Sequence, residues 1–68
     1  MQKSKTLSVI IPSYNEEGNV LKIYNSLSKT LENISYELVY VDDGSKDKTL
    51  TELEELYKKD KKHVKVIS

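Results

Sequence analysis

Two alternating periodicities constrain the fold more than anything else in this chain. Leu7, Val9, Ile10 and Ile11 form a short, nearly continuous apolar run closed by Pro12. That is the pattern of a strand buried on both faces of a parallel sheet and stopped by a residue with no ladder donor. From Val20 the spacing changes: Val20, Tyr24, Leu27, Leu31 and Ile34 recur at helical steps with Lys22, Asn25, Ser26 and Lys29 between them. This predicts an amphipathic helix. Tyr36 to Val41 is aromatic and β-branched again and runs into the turn cluster Asp42-Asp43-Gly44-Ser45, which reads as a second strand. Leu50, Leu53 and Tyr57, with Leu56 on the same side, return to helical spacing, and Asp47 stands where an N-cap belongs. Glu52, Glu54 and Glu55 precede Lys58, Lys59, Lys61 and Lys62 in this second helix, an order that suits its dipole and offers Glu54–Lys58 and Glu55–Lys59 as ion pairs. Val64, Val66 and Ile67 supply a third strand.

Strand, helix, strand, helix, strand, with connections too long for hairpins, implies parallel strands joined by right-handed crossovers in an α/β layer. With 68 residues and no internal repeat or linker, residues 1–68 read as part of one domain. A chain of this size buries only about 60% of its unfolded surface, so its margin of stability is thin. Eleven basic and eleven acidic side chains cancel, so no global field recruits nucleic acid or an anionic membrane. The absence of cysteine excludes a disulfide framework and a thiolate metal site. Met1 to Thr6 is polar, and the apolar run behind it is far too short for a secretory or spanning segment. A cytoplasmic chain is expected.

Ligands of an open parallel sheet bind outside the carboxyl ends of its strands, and both such ends carry unusual residues here. The first is Pro12-Ser13-Tyr14-Asn15-Glu16-Glu17 and the second Asp42-Asp43-Gly44-Ser45. If the two strands are neighbours, the loops lie side by side and put Tyr14, Glu16, Asp42 and Asp43 around one crevice. Each loop alone has a plain structural reading. The first fits a capping box from Ser13 to Glu16, or an N-cap at Asn15, and the second fits a chain reversal at Asp43 and Gly44. Together they say more, because adjacent carboxylates at a strand end repel one another and suit a mere turn poorly. A nucleoside would use them: a fixed carboxylate can accept from a base N–H or two ribose hydroxyls, and Tyr14 can offer its face to a base. No G-x-G-x-x-G, P-loop or calcium-hand pattern is present. His63 and the Lys58–Lys62 run read as solvated residues rather than a catalytic base or a phosphate site.

Leu7-Ser8-Val9-Ile10-Ile11-Pro12-Ser13-Tyr14-Asn15-Glu16-Glu17, followed by Tyr36-Glu37-Leu38-Val39-Tyr40-Val41-Asp42-Asp43-Gly44-Ser45-Lys46-Asp47-Lys48-Thr49, resembles the opening of family-2 glycosyltransferases with the GT-A fold. Within that family the N-E-E-G-N run and the V-D-D-G-S-x-D-x-T turn look closest to the polyprenyl-phosphate branch, which includes dolichol-phosphate mannose synthases. The resemblance implies the N-terminal βαβαβ portion of a Rossmann-like GT-A nucleotide-sugar-binding domain. It implies that Pro12, Tyr14 and Glu16 line the base and ribose pocket, that Val41 and Asp43 complete it with Asp43 meeting the base, and that Asp42 supports the turn. The family's Mg²⁺- or Mn²⁺-holding D-x-D and its catalytic base come later than these residues, so no catalytic or metal-binding residue is assigned here. The implied reaction moves a sugar from a UDP- or GDP-sugar to an acceptor, with polyprenyl phosphate the one the branch suggests, in glycan synthesis for the cell envelope at the cytoplasmic face of a membrane. The stretch alone is expected to be inactive, since the carboxylates around the crevice repel a diphosphate that no cation neutralises. A non-catalytic α/β module that binds a nucleotide or a protein is the alternative.

The same resemblance places strand one inside a larger sheet, so in these residues alone one of its edges is unpaired. A flat, apolar edge seeks a partner, and the isolated chain is expected either to form a homo-oligomer or to be a poorly soluble, partly ordered species.

Overall fold

The computed structural model of the chain describes residues 6–68, so the polar stretch 1–5 lies outside the described residues. The elements follow the expected order: β1 (Leu7–Ser13), α1 (Val20–Thr30), β2 (Tyr36–Asp42), α2 (Thr49–Lys59) and β3 (Val64–Ile67). The three strands form one parallel sheet in the order β1-β2-β3. The first pairing runs in step from Leu7 opposite Tyr36 to Ser13 opposite Asp42.

Side chains alternate across a strand, and β2 sends Tyr36, Leu38 and Tyr40 to one face. There they pack with Val20 and Leu31 from the first helical segment, Leu53 and Leu56 of α2, and Val64 of β3, with Val9, Ile11, Tyr24, Leu27 and Val66 around them. Both helices therefore cover the same face. The other face, carrying Ile10 at 60% exposure and Ile67 at 54%, is open within these residues. The expectation of burial on both faces thus fails for β1, because no described element lies over that side. Lys65 Nζ and Glu37 Oε1 form an ion pair at 3.7 Å on the strands there, while Glu54–Lys58 and Glu55–Lys59 close none of their own. Two residues read as core by spacing also lie outside it. Ile34 falls beyond α1 and is exposed, and Tyr57 is exposed with Lys61 Nζ 5.9 Å above its ring.

Pro12 does not end β1, which continues to Ser13. The reason is directional. The Ser13 carbonyl accepts from the Asp43 N–H at 3.3 Å and the Leu7 N–H donates to the Ser35 carbonyl at 2.9 Å, so odd-numbered residues turn their backbone polar groups toward β2. Pro12 faces the outer edge, where its missing N–H costs the β1–β2 ladder nothing.

The corner between α2 and β3 is fixed by a side-chain relay. Tyr24 Oη donates to Asp60 Oδ2 at 2.6 Å, Asp60 faces His63 Nδ1 at 3.2 Å, and the His63 ring stacks on Tyr36 with centroids 4.2 Å apart. His63 is thus a half-buried packing residue, not a solvated one. Burial alone would raise the Asp60 pKa, but the bonds from Tyr24 and His63 outweigh it and hold the carboxyl below its ordinary value. The same bond, with burial second, raises the Tyr24 phenol. A depressed carboxylate stabilises the fold above its unfolded pKa of about 3.9 and loses that contribution as pH falls through the folded value. Replacing Asp60 by Asn should therefore flatten the acid limb of a stability-against-pH curve below about pH 4, as followed by urea unfolding monitored by circular dichroism.

Candidate functional site

Parallel pairing of β1 with β2 brings the two motif loops to the same end of the sheet and level with each other. Pro12 pairs with Val41, which pairs in turn with Ile67, so these three stand in a row across the last rungs. Beyond them Tyr14 is 53% exposed, and Asp43 is exposed, its carboxylate accepting no hydrogen bond from the described residues. Asp42, its neighbour, is buried on the helix side. Its Oδ2 takes a long bond of 3.4 Å from the Ser45 N–H, and its Oδ1 is buried without a partner. The repulsion expected between the two carboxylates is relieved by this divergence, one oriented inward to the turn and the other left to solvent.

The plain readings of the first loop do not hold. Ser13 belongs to β1 and its Oγ donates to the Ile11 carbonyl at 3.3 Å. Asn15 adopts a left-handed φ of 52°, and α1 starts only at Val20 with Asn19 before it and no side-chain cap. Glu16 is half-buried, and its Oε1 accepts from Asn19 Nδ2 at 3.3 Å. The left-handed Asn15 is tolerated because its Oδ1 accepts from the Lys46 N–H at 2.9 Å, across on the second loop.

That crossing bond is one of several. The Asn15 N–H donates to Ser45 Oγ at 2.9 Å, Glu16 N–H to Thr49 Oγ1 at 2.6 Å, Glu17 N–H to Asp47 Oδ2 at 3.1 Å, and Gly18 N–H to Glu52 Oε1 at 3.1 Å. The Lys48 N–H answers by donating to Glu17 Oε1 at 3.3 Å. Asp47 was expected to cap α2, and its Oδ1 does accept from the Thr49 N–H at 2.9 Å, although the helix counts Lys48 as its first flank. The other oxygen reaches back to the first loop. In the sequence Ser45 counts only as part of the turn cluster, Glu52 only as a first-turn charge suited to the dipole of α2, and Thr49 as neither, so their part as acceptors goes unread there. The signal was there in the spacing S-x-D-x-T-x-x-E, which sets acceptors along a turn that enters a helix.

Bonds from Thr49 first, then from neighbouring backbone N–H groups, hold the Asp47 carboxyl below its ordinary pKa despite opposing burial. Among the described residues no group of three or more His, Cys, Asp or Glu side chains is placed to hold a metal ion. One orphaned oxygen on Asp42 does not make such a site, so these residues do not fit Mg²⁺ or Mn²⁺ by themselves. Three surface hollows lie elsewhere, between α1 and α2, below the start of β2, and beside β3. At the loop end of the sheet Pro12, Tyr14 and Asp43 are exposed and Val41 is half-buried, and none of them lines these three hollows.

The pattern of Glycosyl transferase family 2 matches residues 8–68, and the chain belongs to that family. It is similar to a glycosyltransferase of Bacillus subtilis, 46% identical over 56 residues that make up 79% of this chain and 17% of the relative. It is similar also to a dolichol-phosphate mannosyltransferase of Pyrococcus furiosus, 43% identical over 53 residues, 78% of this chain and 15% of the relative. An undecaprenyl-phosphate 4-deoxy-4-formamido-L-arabinose transferase of Proteus mirabilis is 37% identical over 65 residues, 93% of this chain and 20% of the relative. The chain thus spans between 15% and 20% of the length of these relatives. No helix among the described residues is long and apolar enough to cross a membrane.

Gly44 closes the second loop at φ +75°, and a Cβ there would meet nothing within 4 Å. The cost of a side chain is then backbone strain alone, about 1–2 kcal/mol. Gly44→Ala should lower unfolding free energy by that amount in chemical denaturation, and Gly44→Asn by less, since Asn tolerates the left-handed region better.

Proposed function

We propose that the protein carrying this chain transfers a sugar from a nucleoside-diphosphate sugar, UDP- or GDP-linked, and that these residues hold the nucleoside. One observation carries the reading: in a family-2 chain, the loops after two adjacent parallel strands converge, with Asp43 the carboxylate left exposed and free of other bonds at that end. On this reading Asp43 accepts from the base, Pro12 and Val41 form the floor, and Tyr14 and Glu16 line the base and ribose side. Asp42 supports the turn from beneath. The Mg²⁺ or Mn²⁺ expected with such a donor is held by residues outside these 68, and so is the catalytic base. Relatives that act on dolichyl and undecaprenyl phosphates support a lipid-linked phosphate as acceptor, which would place the whole protein at the cytoplasmic face of a membrane. The stretch alone lacks the groups to complete the reaction.

Losing one hydrogen bond to a charged group costs about 1.5–3 kcal/mol. Calorimetric titration of the whole protein with UDP and GDP should show that loss for Asp43→Ala. Unchanged affinity for both nucleotides would remove Asp43 from the site.

For the 68-residue chain in isolation we propose a homo-oligomer formed through the outer edge of β1 and the open sheet face beside it, where Ile10 and Ile67 are exposed. Gel filtration with light scattering at tens of micromolar should give a mass above that of one 7.8 kDa chain. A monodisperse monomer would show that the edge is adequately protected.

A further inference from the structure

Four consecutive backbone N–H groups, those of Asn15, Glu16, Glu17 and Gly18, are all taken by side chains of one segment, namely Ser45, Thr49, Asp47 and Glu52. A run of successive amides in a turn makes a concavity that binds anions. Here two of the four acceptors are the protein's own carboxylates, Asp47 and Glu52, and the other two are the hydroxyls of Ser45 and Thr49. The amides are therefore closed to a diphosphate, and what they do is fix the loop that carries Tyr14 and Glu16. Thr49 is fully buried and Asp47 half-buried. The Thr49 hydroxyl also donates to Asp47 Oδ1, so one hydroxyl and one carboxylate are locked together before either meets the loop. Removing the buried Thr49 hydroxyl leaves the part-buried Glu16 N–H without a partner, while removing the Asp47 acceptor leaves the Glu17 N–H to water and frees Thr49 from its tie to Asp47.

We infer that Asp47 and Thr49, with Ser45 and Glu52 on either side, are positioning residues that clamp the first loop in its nucleoside-binding shape before any nucleotide arrives. This rests on the nucleoside reading of the crevice above. None of the four touches the ligand on that reading; they act through the backbone of residues 15–18. The clamp is two-sided, because Asn15 Oδ1 and Glu17 Oε1 accept from the Lys46 and Lys48 N–H groups in return. The second motif thus serves two purposes: its Asp-Asp-Gly start presents Asp43, and its Ser-x-Asp-x-Thr end shapes the other wall.

The test uses the whole protein, with UDP and GDP as probes, and three variants: Asp47→Asn, Thr49→Val and Thr49→Ser. Amide hydrogen exchange without nucleotide reads the clamp directly. Exchange of the Asn15–Gly18 amides should quicken about 10- to 100-fold in Asp47→Asn and Thr49→Val, the range that one lost charged or buried bond corresponds to. The amides of Leu38 and Tyr40 in β2 should keep their wild-type rates. Nucleotide affinity should fall about tenfold or more in the same two variants, and Thr49→Ser, which retains the hydroxyl, should restore both readouts. Exchange at residues 15–18 that is unchanged, or that quickens only in proportion to β2, would overturn the clamp, and so would quickened exchange with unaltered affinity. Failure of the nucleoside reading looks different: the wild-type protein would then bind neither UDP nor GDP, whatever the amides do.

Discussion

The pairing of β1 with β2 in parallel, Ser13 level with Asp42, is the contact on which the rest depends. A slip by one residue would send Leu38 and Tyr40 to the open face and bring Val39 and Val41 toward the helices. It would also move Ser45 and Asp47 out of reach of the first loop, because the crossing bonds span 30 residues of sequence with no slack other than side-chain length. Hydrophobic burial and polar site geometry therefore select the same register. Agreement between two such independent terms is what gives a short chain one well-defined arrangement.

The acidic excess at this end of the sheet has a division of labour. Asp42 is turned inward, Asp47 and Glu52 accept from the first loop, and Glu17 accepts from Lys48. Taken as formal charges, all would repel a diphosphate. Hydrogen-bonded to backbone N–H groups, most are partly neutralised by local dipoles, and the carboxylate left for a ligand is that of Asp43. The electrostatic obstacle to nucleotide binding is smaller than a count of carboxylates suggests.

Element type and order were legible in the sequence because period and composition change sharply at Pro12, Val20, Tyr36 and Asp42. Adjacency of the two loops followed from the βαβ rule. What spacing could not reveal was one-sidedness: a continuous apolar run such as Val9-Ile10-Ile11 is written the same way whether the far face is covered by this stretch or by other elements. His63 was misjudged for a similar reason. Flanking lysines speak for solvent, yet its ring packs on Tyr36 and its Nδ1 faces Asp60, partners 27 and 3 residues away that no local window weighs together. The role of Ser45, Thr49 and Glu52 was likewise hidden, since their partners are amides, and every residue but proline has an amide.

Pro12 shapes what can lie beside β1. Its backbone faces away from β2 and offers no donor, so a strand laid along that edge can hold a continuous ladder past Ser8 and Ile10 but finds a gap at Pro12. Such a neighbour is free to diverge there. A neighbour that diverged there would leave space at the top of the sheet, next to Tyr14, and the cause would be the covalent structure of one ring rather than the side chains opposite.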